Sequence, residues 1–439
     1  MKRLFVTTFC LFLLSIIYAS TTDTKKIQIT LKRCIEIALE NDFSLKEAHK
    51  DVVVAAAQLK RAKSSLYPNF SASTTYSRRY PPPEVHLPGG YSVQLLEENQ
   101  HDLTFSLNYL LYDGGGVKSL KSQAMAQLEV YKTSEEKIRQ DVIYRTSIAY
   151  FNALKNKNFV LVAEEALKLS EEQLKIAKER YNAGTVALAD VLKAKSQLAD
   201  AEVNLIKAKN IFDVSLTGLN DAMGVPLDTK LELNEEYPFK TCNITMEESL
   251  KNALENRLEI NIMKKSLEAG NYAIKFAKSL WYPQIFFNLD YTGWSNSLLA
   301  QDNTVVATVG ARFNIFDGMQ TSAKVEEAKA LQEKLAIQME EIKKKIKLDV
   351  TKAFLDFQSA YEKVFKVEEN LNFAKESYRT AQTSYKEGIT PFIDVNAAQV
   401  MLTNTEVNKV QAIFDYYIAK IELLRAMGLL GKVEIEFSP

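Results

Sequence analysis

From Leu103 to Leu111 the chain alternates in character, with Leu103, Phe105, Leu107, Tyr109 and Leu111 on one line and Thr104, Ser106, Asn108 and Leu110 on the other. A period of two predicts a β-strand with one apolar and one polar face. The alternation returns at Val305, Ala307, Val309, Ala311, Phe313 and Ile315 against Val306, Thr308, Gly310, Arg312 and Asn314. A second alternating stretch precedes each of these: Phe70, Ala72, Thr74 and Tyr76 in one region, Ile285, Phe287, Leu289 and Tyr291 in the other. Each region therefore predicts a strand pair joined by a turn, at about residues 67–112 and 282–316.

Elsewhere the period is helical. Val117 to Ala183 and Gln320 to Glu387 contain neither Gly nor Pro. With a rise of 1.5 Å per residue, each stretch makes one helix about 100 Å long. Helices of that length point to coiled-coil packing or a helical tube. Asp113 and Asp317 stand at the expected N-caps, and Gly184 and Gly388 stand where a left-handed residue ends a helix. A returning helix follows each Gly. The first carries Val191, Leu198, Leu205 and Phe212 at heptad spacing, with Ala194, Ala201, Ala208 and Ser215 three residues after each. Large and small residues alternating along a seam let neighbouring helices approach closely. The second begins at Thr390-Pro391, a capping hydroxyl before a Pro at the first helical position, and its seam runs Val395, Leu402 and then Lys409. Each region also opens with a helix, at 31–66 and 246–280.

These elements are one unit written twice. Ala38-Leu39-Glu40-Asn41 returns as Ala253-Leu254-Glu255-Asn256, Tyr67-Pro68 as Tyr282-Pro283, Asp113-Gly114 as Asp317-Gly318, and Ala222-Met223-Gly224 as Ala426-Met427-Gly428. The offset is 215 residues as far as the duplicated Pro and 204 from the duplicated Asp-Gly onward, so the first copy holds extra residues, placed at Pro81 to Tyr91 and read as a loop. Such copies often bury their apolar surface only against one another. The organisation predicted is repeat 1 at 20–224, a linker at 225–243, repeat 2 at 244–428 and a tail at 429–439.

Composition narrows the class. Lys2 and Arg3, an apolar run from Leu4 to Tyr18 and a small-residue exit at Ala19-Ser20 read as an export signal over 1–19. Lys plus Arg and Asp plus Glu each number 55, without the basic excess of a nucleic-acid binder, so no nucleic-acid partner is expected. After export Cys34 and Cys242 remain, at positions that do not correspond between repeats, which leaves two thiols or one disulfide open. His49, His86 and His101 show no metal-ligand spacing. There is no His beside a candidate nucleophile and no Gly-rich phosphate loop after a strand. No enzyme activity, cofactor or metal is expected.

Strands of about 10 residues suffice to cross a bilayer at a tilt. The alternation equally suits a soluble sheet packed on helices, in a periplasmic scaffold or adaptor. Export, the confinement of the strands to two pairs and the absence of any layer to cover a sheet favour the bilayer. Four strands cannot close a barrel, and an open edge is not viable in lipid. Several chains must then share one barrel: two would supply eight strands and three would supply twelve, with room for a passage.

The chain resembles the outer membrane efflux protein (TolC-like) family over nearly its whole mature length. The resemblance rests on the duplication, on Tyr-Pro entering each strand pair, on Tyr112-Asp113-Gly114 and Phe316-Asp317-Gly318 leaving it, and on the tip motifs Arg180 to Thr185 and Tyr385 to Ile389. It implies a mainly α, α+β fold: a homotrimer in the outer-membrane lipid whose four strands per chain make a twelve-stranded barrel above a periplasmic tunnel of long antiparallel coiled-coil helices. It also implies a passive exit duct for efflux or type I secretion, docked to a periplasmic adaptor and an inner-membrane pump. Ala183, Gly184, Thr185, Glu387, Gly388 and Ile389 then become adaptor contacts at the tips. Asp190, Asp394, Tyr385 and Thr390 become the periplasmic gate, with the Tyr385 hydroxyl bonded to Asp190. The two glycines are required by the turns whatever binds there, and acids in a first helical turn also complement the helix dipole. The family pattern has an Arg at the position of Thr390 and a second Asp at that of Ala397, so the resemblance leaves open how the gate closes.

Overall fold

The computed structural model describes residues 27–94, 98–233, 244–293 and 303–431. The export signal, Cys242, the turn between the second pair of strands and most of the tail lie outside them. The elements of repeat 1 are β1 (Ile27–Ile29), α1 (Leu31–Asn41), α2 (Phe43–Ser64), β2 (Asn69–Arg78), β3 (Glu84–Leu87), β4 (Tyr91–Gln94), β5 (Asn99–Tyr112), α3 (Gly116–Asn182) and α4 (Leu188–Met223). After β6 (Leu231–Leu233), repeat 2 supplies α5 (Met246–Asn256), α6 (Leu258–Ser279), β7 (Gln284–Gly293), β8 (Asn303–Arg312), α7 (Gln320–Glu387) and α8 (Phe392–Ala426).

The long helices run 67 and 68 residues without interruption. Their starts differ from the simple caps expected. The residues before them are Gly115 and Met319, both left-handed, and neither caps with a side chain. Capping comes from two residues further back: Asp113 accepts from the Gly115 and Val117 N–H groups, and Asp317 accepts from Thr321 N–H at 2.9 Å. The Thr321 hydroxyl and N–H hold the Asp317 carboxyl below its ordinary pKa. At Gly114 a Cβ would lie 2.6 Å from that of Tyr282, so the Asp-Gly turn of repeat 1 packs directly on the Tyr-Pro turn of repeat 2.

The opening helices are each broken in two, where the sequence pattern had predicted one. Asp42 and Arg257 stand at the breaks with extended ψ values of 128° and 124°. Asp42 restarts its helix by accepting from Leu45 N–H at 3.0 Å and also receives Arg145 from α3. Burial raises its pKa, but the hydrogen bonds from Ser44 and Leu45 and the Arg145 charge outweigh that, leaving it below the ordinary value. A second difference lies in the extra residues of repeat 1. They form the hairpin β3–β4, with Val85 facing Val93 and Leu87 facing Tyr91, rather than an irregular loop.

One four-stranded antiparallel sheet runs β2–β5–β7–β8, joining the strands of both repeats. A two-stranded parallel pair of β1 with β6 ties the start of the chain to the segment between the repeats. The main apolar cluster surrounds Tyr150, Phe151, Val350, Phe357, Tyr416 and Leu423, where α3, α7 and α8 meet α1 and α5. Phe151 stacks on Tyr417 with centroids 5.3 Å apart, and burial pushes the Tyr417 pKa up to about 12. A second cluster, from Leu174 and Ala194 to Tyr378, Tyr385, Phe392 and Leu402, fills the half nearer the helical hairpin tips. The predicted seam of small residues is there, with Ala194 and Ala201 buried. Lys409, which breaks the second seam, pairs with Glu368 at 2.9 Å.

Candidate functional site

The sheet sorts its side chains by face across all four strands. Phe70 lies opposite Leu107, Leu107 opposite Leu289, and Leu289 opposite Ala307. One row along, Ala72, Phe105, Tyr291 and Val305 align in the same way, with Phe105 and Tyr291 at 6.2 Å. Because the side-chain period is two, a slip of one residue would turn a whole strand over, so this register is strongly specified. The opposite face carries Ser71, Ser106 and Asp290 in one row, which ends on Val306 of β8, and Asn69, Asn108, Asn288 and Thr308 in another. Near the helices that polar face is interrupted: a Cβ on Gly310 would lie 2.4 Å from the Phe286 ring, which covers the glycine.

The sheet's outer strands, β2 and β8, each pair on one side only. Below them the helices repeat the arrangement, with α3 packing on α4, α6 and α8 while α7 packs on α6 and α8. The outward sides of α4 and α7 carry exposed Leu192, Val203, Ile206 and Val214, and exposed Ile337, Leu348, Leu355 and Phe373. No helix among the described residues is long and apolar enough to cross a bilayer.

At the far end the two helical hairpins turn. Gly184 and Gly388 have φ of 73° and 84°, as a chain reversal after a helix requires. Ala183, Gly184, Thr185, Glu387, Gly388 and Ile389 are all exposed. Thr185 donates through its hydroxyl to Arg180 O at 2.9 Å, and Ile389 N–H donates to Ser384 O at 2.8 Å. Asp190 and Asp394 lie in the first turns of α4 and α8.

Tyr385 is 1 % exposed and meets Phe392 edge to face at 5.7 Å. Its hydroxyl, expected to bond Asp190, has no hydrogen-bond partner among the described residues, and neither has the Thr390 hydroxyl. Burial raises the Tyr385 pKa and the Asp190 charge adds to the shift, against the pull of Arg180. The structure thus gathers Tyr385, Asp190 and Thr390 about one tip, and Asp394 stays exposed.

Arg180 was not singled out by the sequence. Its guanidinium lies 4.6 Å from the Tyr385 ring centroid and donates to the Tyr385 carbonyl, so repeat 1 holds the tip of repeat 2. Two buried hydrogen bonds further up join the repeats again: Gln173 donates to the Tyr378 hydroxyl and Gln399 to the Ser170 hydroxyl, both at 2.9 Å. The only sequence signal for Arg180 was its place in the tip motif, because its partner is 205 residues away.

The family model described as outer membrane efflux protein matches residues 34–225 and 249–429. Outer membrane efflux protein BepC of Brucella suis biovar 1 (strain 1330) is 22 % identical over 417 residues, 93 % of this chain and 87 % of its own length. Outer membrane protein TolC of Escherichia coli (strain K12) is 22 % identical over 412 residues, covering 89 % and 80 %. Among solved structures, the outer membrane protein VceC of Vibrio cholerae superposes with a TM-score of 0.78 at 18 % identity, covering 91 % of this chain and 96 % of that one.

Proposed function

The chain belongs to the outer membrane efflux protein family, and from that premise we propose that it is the passive exit duct of an efflux or type I secretion assembly. The observation that carries this reading is the single sheet, apolar along one face in register across four strands and unpaired at both edges. Such a sheet is suited to lipid only when its edges are joined. The free edges belong to different repeats: β2, with α4 below it, to repeat 1, and β8, with α7 below it, to repeat 2. Joining unlike edges of identical chains is a heterologous contact, which generates a ring when the rotation closes. Three copies supply twelve strands around a polar lining, enough for an aqueous passage. The exposed stripes on α4 and α7 meet in the same contact and continue the wall as a periplasmic tunnel.

The tips are the parts farthest from the sheet, and their exposed residues Ala183, Gly184, Thr185, Glu387, Gly388 and Ile389 suit docking to a periplasmic adaptor that couples the duct to an inner-membrane pump. Tyr385, Thr390, Asp190 and Asp394 form the gate at that end. In a ring each acid is repeated in every copy, which favours cations over anions at the entrance. Energy for transport comes from the pump.

The test is fractionation of cells expressing the full chain, chemical crosslinking, and conductance in planar bilayers. Outer-membrane recovery, a crosslinked trimer and stable single-channel currents are expected. Recovery as a soluble periplasmic protein without conductance overturns the duct.

A further inference from the structure

The ion pairs at the helix breaks have opposite sign in the two repeats. In repeat 1 the break is Asp42, held by Arg145 of α3. In repeat 2 it is Arg257, paired with Glu259 at 3.0 Å and lying 3.8 Å from Asp349 of α7. Positions 42 and 257 correspond under the offset of 215, and 145 and 349 under that of 204. A third position follows: Asp221, near the end of α4, corresponds to Arg425, near the end of α8. Acid, base, acid in one repeat has become base, acid, base in the other.

Inside the chain the repeat 2 set is seen against its neighbour. Arg425 lies 4.4 Å from the Tyr144 ring centroid, and Tyr144 donates to Glu422 at 3.1 Å. Arg257 and Arg425 share a charged cleft of about 380 Å³ with Lys137, Gln140 and Asp141 of α3 and with Lys345 and Asp349 of α7. In this seam, the Lys137 to Tyr144 face of repeat 1 therefore receives the break and helix end of repeat 2. The matching face of α7 runs through Glu341, Lys344, Lys345 and Leu348, all exposed in the single chain. Asp42, the counterpart of Arg257, is buried and already taken by Arg145, so the group this face would receive by the same geometry is the exposed Asp221, which belongs to repeat 1 and reaches it only from a second copy. Lys344, Lys345 and Asp221 make no ion pair among the described residues.

We propose that the inverted sign at the helix end is an assembly key, in which Asp221 of one copy is met by Lys344 on α7 of the next. It rests on the ring reading above. Signs decide the order of joining. Placing two repeat 1 edges together sets Asp221 against Asp221, and placing two α7 edges together sets Lys344 against Lys344. Both like-to-like pairings are repelled, and only the head-to-tail joint that closes a ring brings opposite charges together.

The test uses the full-length protein in mild detergent, with oligomer mass read by light scattering after graded heating. Asp221→Lys and Lys344→Glu should each raise the dissociated fraction, by about fivefold per interface. The combined variant should return towards the wild-type fraction, since the pair is restored with its polarity exchanged. Single variants that assemble like the wild type, or a combined variant that fails to recover, overturn the key while leaving the ring intact. A wild-type chain that is monomeric under the same conditions overturns the ring itself, and the key with it.

Discussion

Tyr181 and Tyr385 occupy the same place in their repeats and have opposite surroundings. Tyr385 is 1 % exposed, covered by Phe392 and Arg180; Tyr181 is 43 % exposed, and its counterpart of Phe392, Leu188, is exposed with it. The hairpins are alike, so backbone form does not explain the contrast. What differs is the supplier of the cover. Arg180 reaches from repeat 1 to the repeat 2 tip, whereas the residue at its place in repeat 2 is Ser384, which has no comparable reach. Tip 2 is thus covered within one chain, and tip 1 is left open. The family pattern's Arg is missing at Thr390, and in this chain Arg180 of the other hairpin places a cation at tip 2.

The strongest way to break that contrast is truncation. Tyr385→Ala should destabilise tip 2 by about 3 kcal/mol, as large aromatic deletions from a packed site do, and should open the closed duct to larger conductance. Tyr181→Ala should change stability by under about 0.5 kcal/mol, as exposed substitutions do. Thermal unfolding and limited proteolysis at the tips measure both, and equal losses would erase the distinction.

Arg180→Ala comes next, with a loss of about 1 to 2 kcal/mol from the cation–π contact and the charged hydrogen bond together. Tip 2 should become cleavable under conditions where the wild type resists. Arg180→Lys should not restore protection, because an ammonium cannot both lie flat on the ring and reach the carbonyl with a planar fork.

A smaller effect comes from pH. Because the Tyr385 pKa is raised by burial first and by Asp190 second, folding favours the neutral phenol. Its contribution is complete below the ordinary tyrosine value of 10.0 and is lost as pH rises from there through the raised folded value. Tip 2 should therefore loosen in alkali more than the same tip in Tyr385→Phe, read as proteolysis rate between pH 8 and 11 (about the range spanned by tyrosine titration). At neutral pH the Phe variant should be nearly silent, since the hydroxyl has no partner among the described residues. A loss above about 1 kcal/mol at neutral pH would mean that another copy supplies one.

The finest distinction concerns the acids. Asp394→Ala should reduce cation selectivity, seen as a shift in reversal potential under a salt gradient, with little change in stability. Unchanged selectivity removes Asp394 from the gate.

Periodicity made much of this fold legible. The alternation at Leu103 to Leu111 and at Val305 to Ala311 is borne out by strands, although β8 ends at Arg312 and leaves Phe313 and Ile315 exposed beyond it. The duplication placed every long helix. The breaks at Asp42 and Arg257 were hidden because both residues also suit the polar face of a continuous helix; the local partners they hold, Leu45 N–H for Asp42 and Glu259 for Arg257, lie two or three residues on and leave no break in the helical period. The hairpin β3–β4 was hidden by its own punctuation: Pro81 to Pro83 and Gly89-Gly90 flank strands of four residues, too short to establish a period. Arg180 was obscured for another reason. Its role depends on how two repeats pack, and a single-residue pattern carries no trace of a partner on another hairpin.

The two unpaired edges also bear on the chain's passage to its membrane. A strand with a free row of N–H and C=O groups pairs with whatever strand it meets first, and this protomer offers two such rows beside a sheet apolar on one face. While dilute and in transit it is at its most vulnerable to misassembly. The helices have much of their core within one chain, whereas the sheet leaves both outer strands unpaired. In the ring proposed above, delivery to the membrane becomes a race between closure and edge-to-edge aggregation, set by how many copies arrive together.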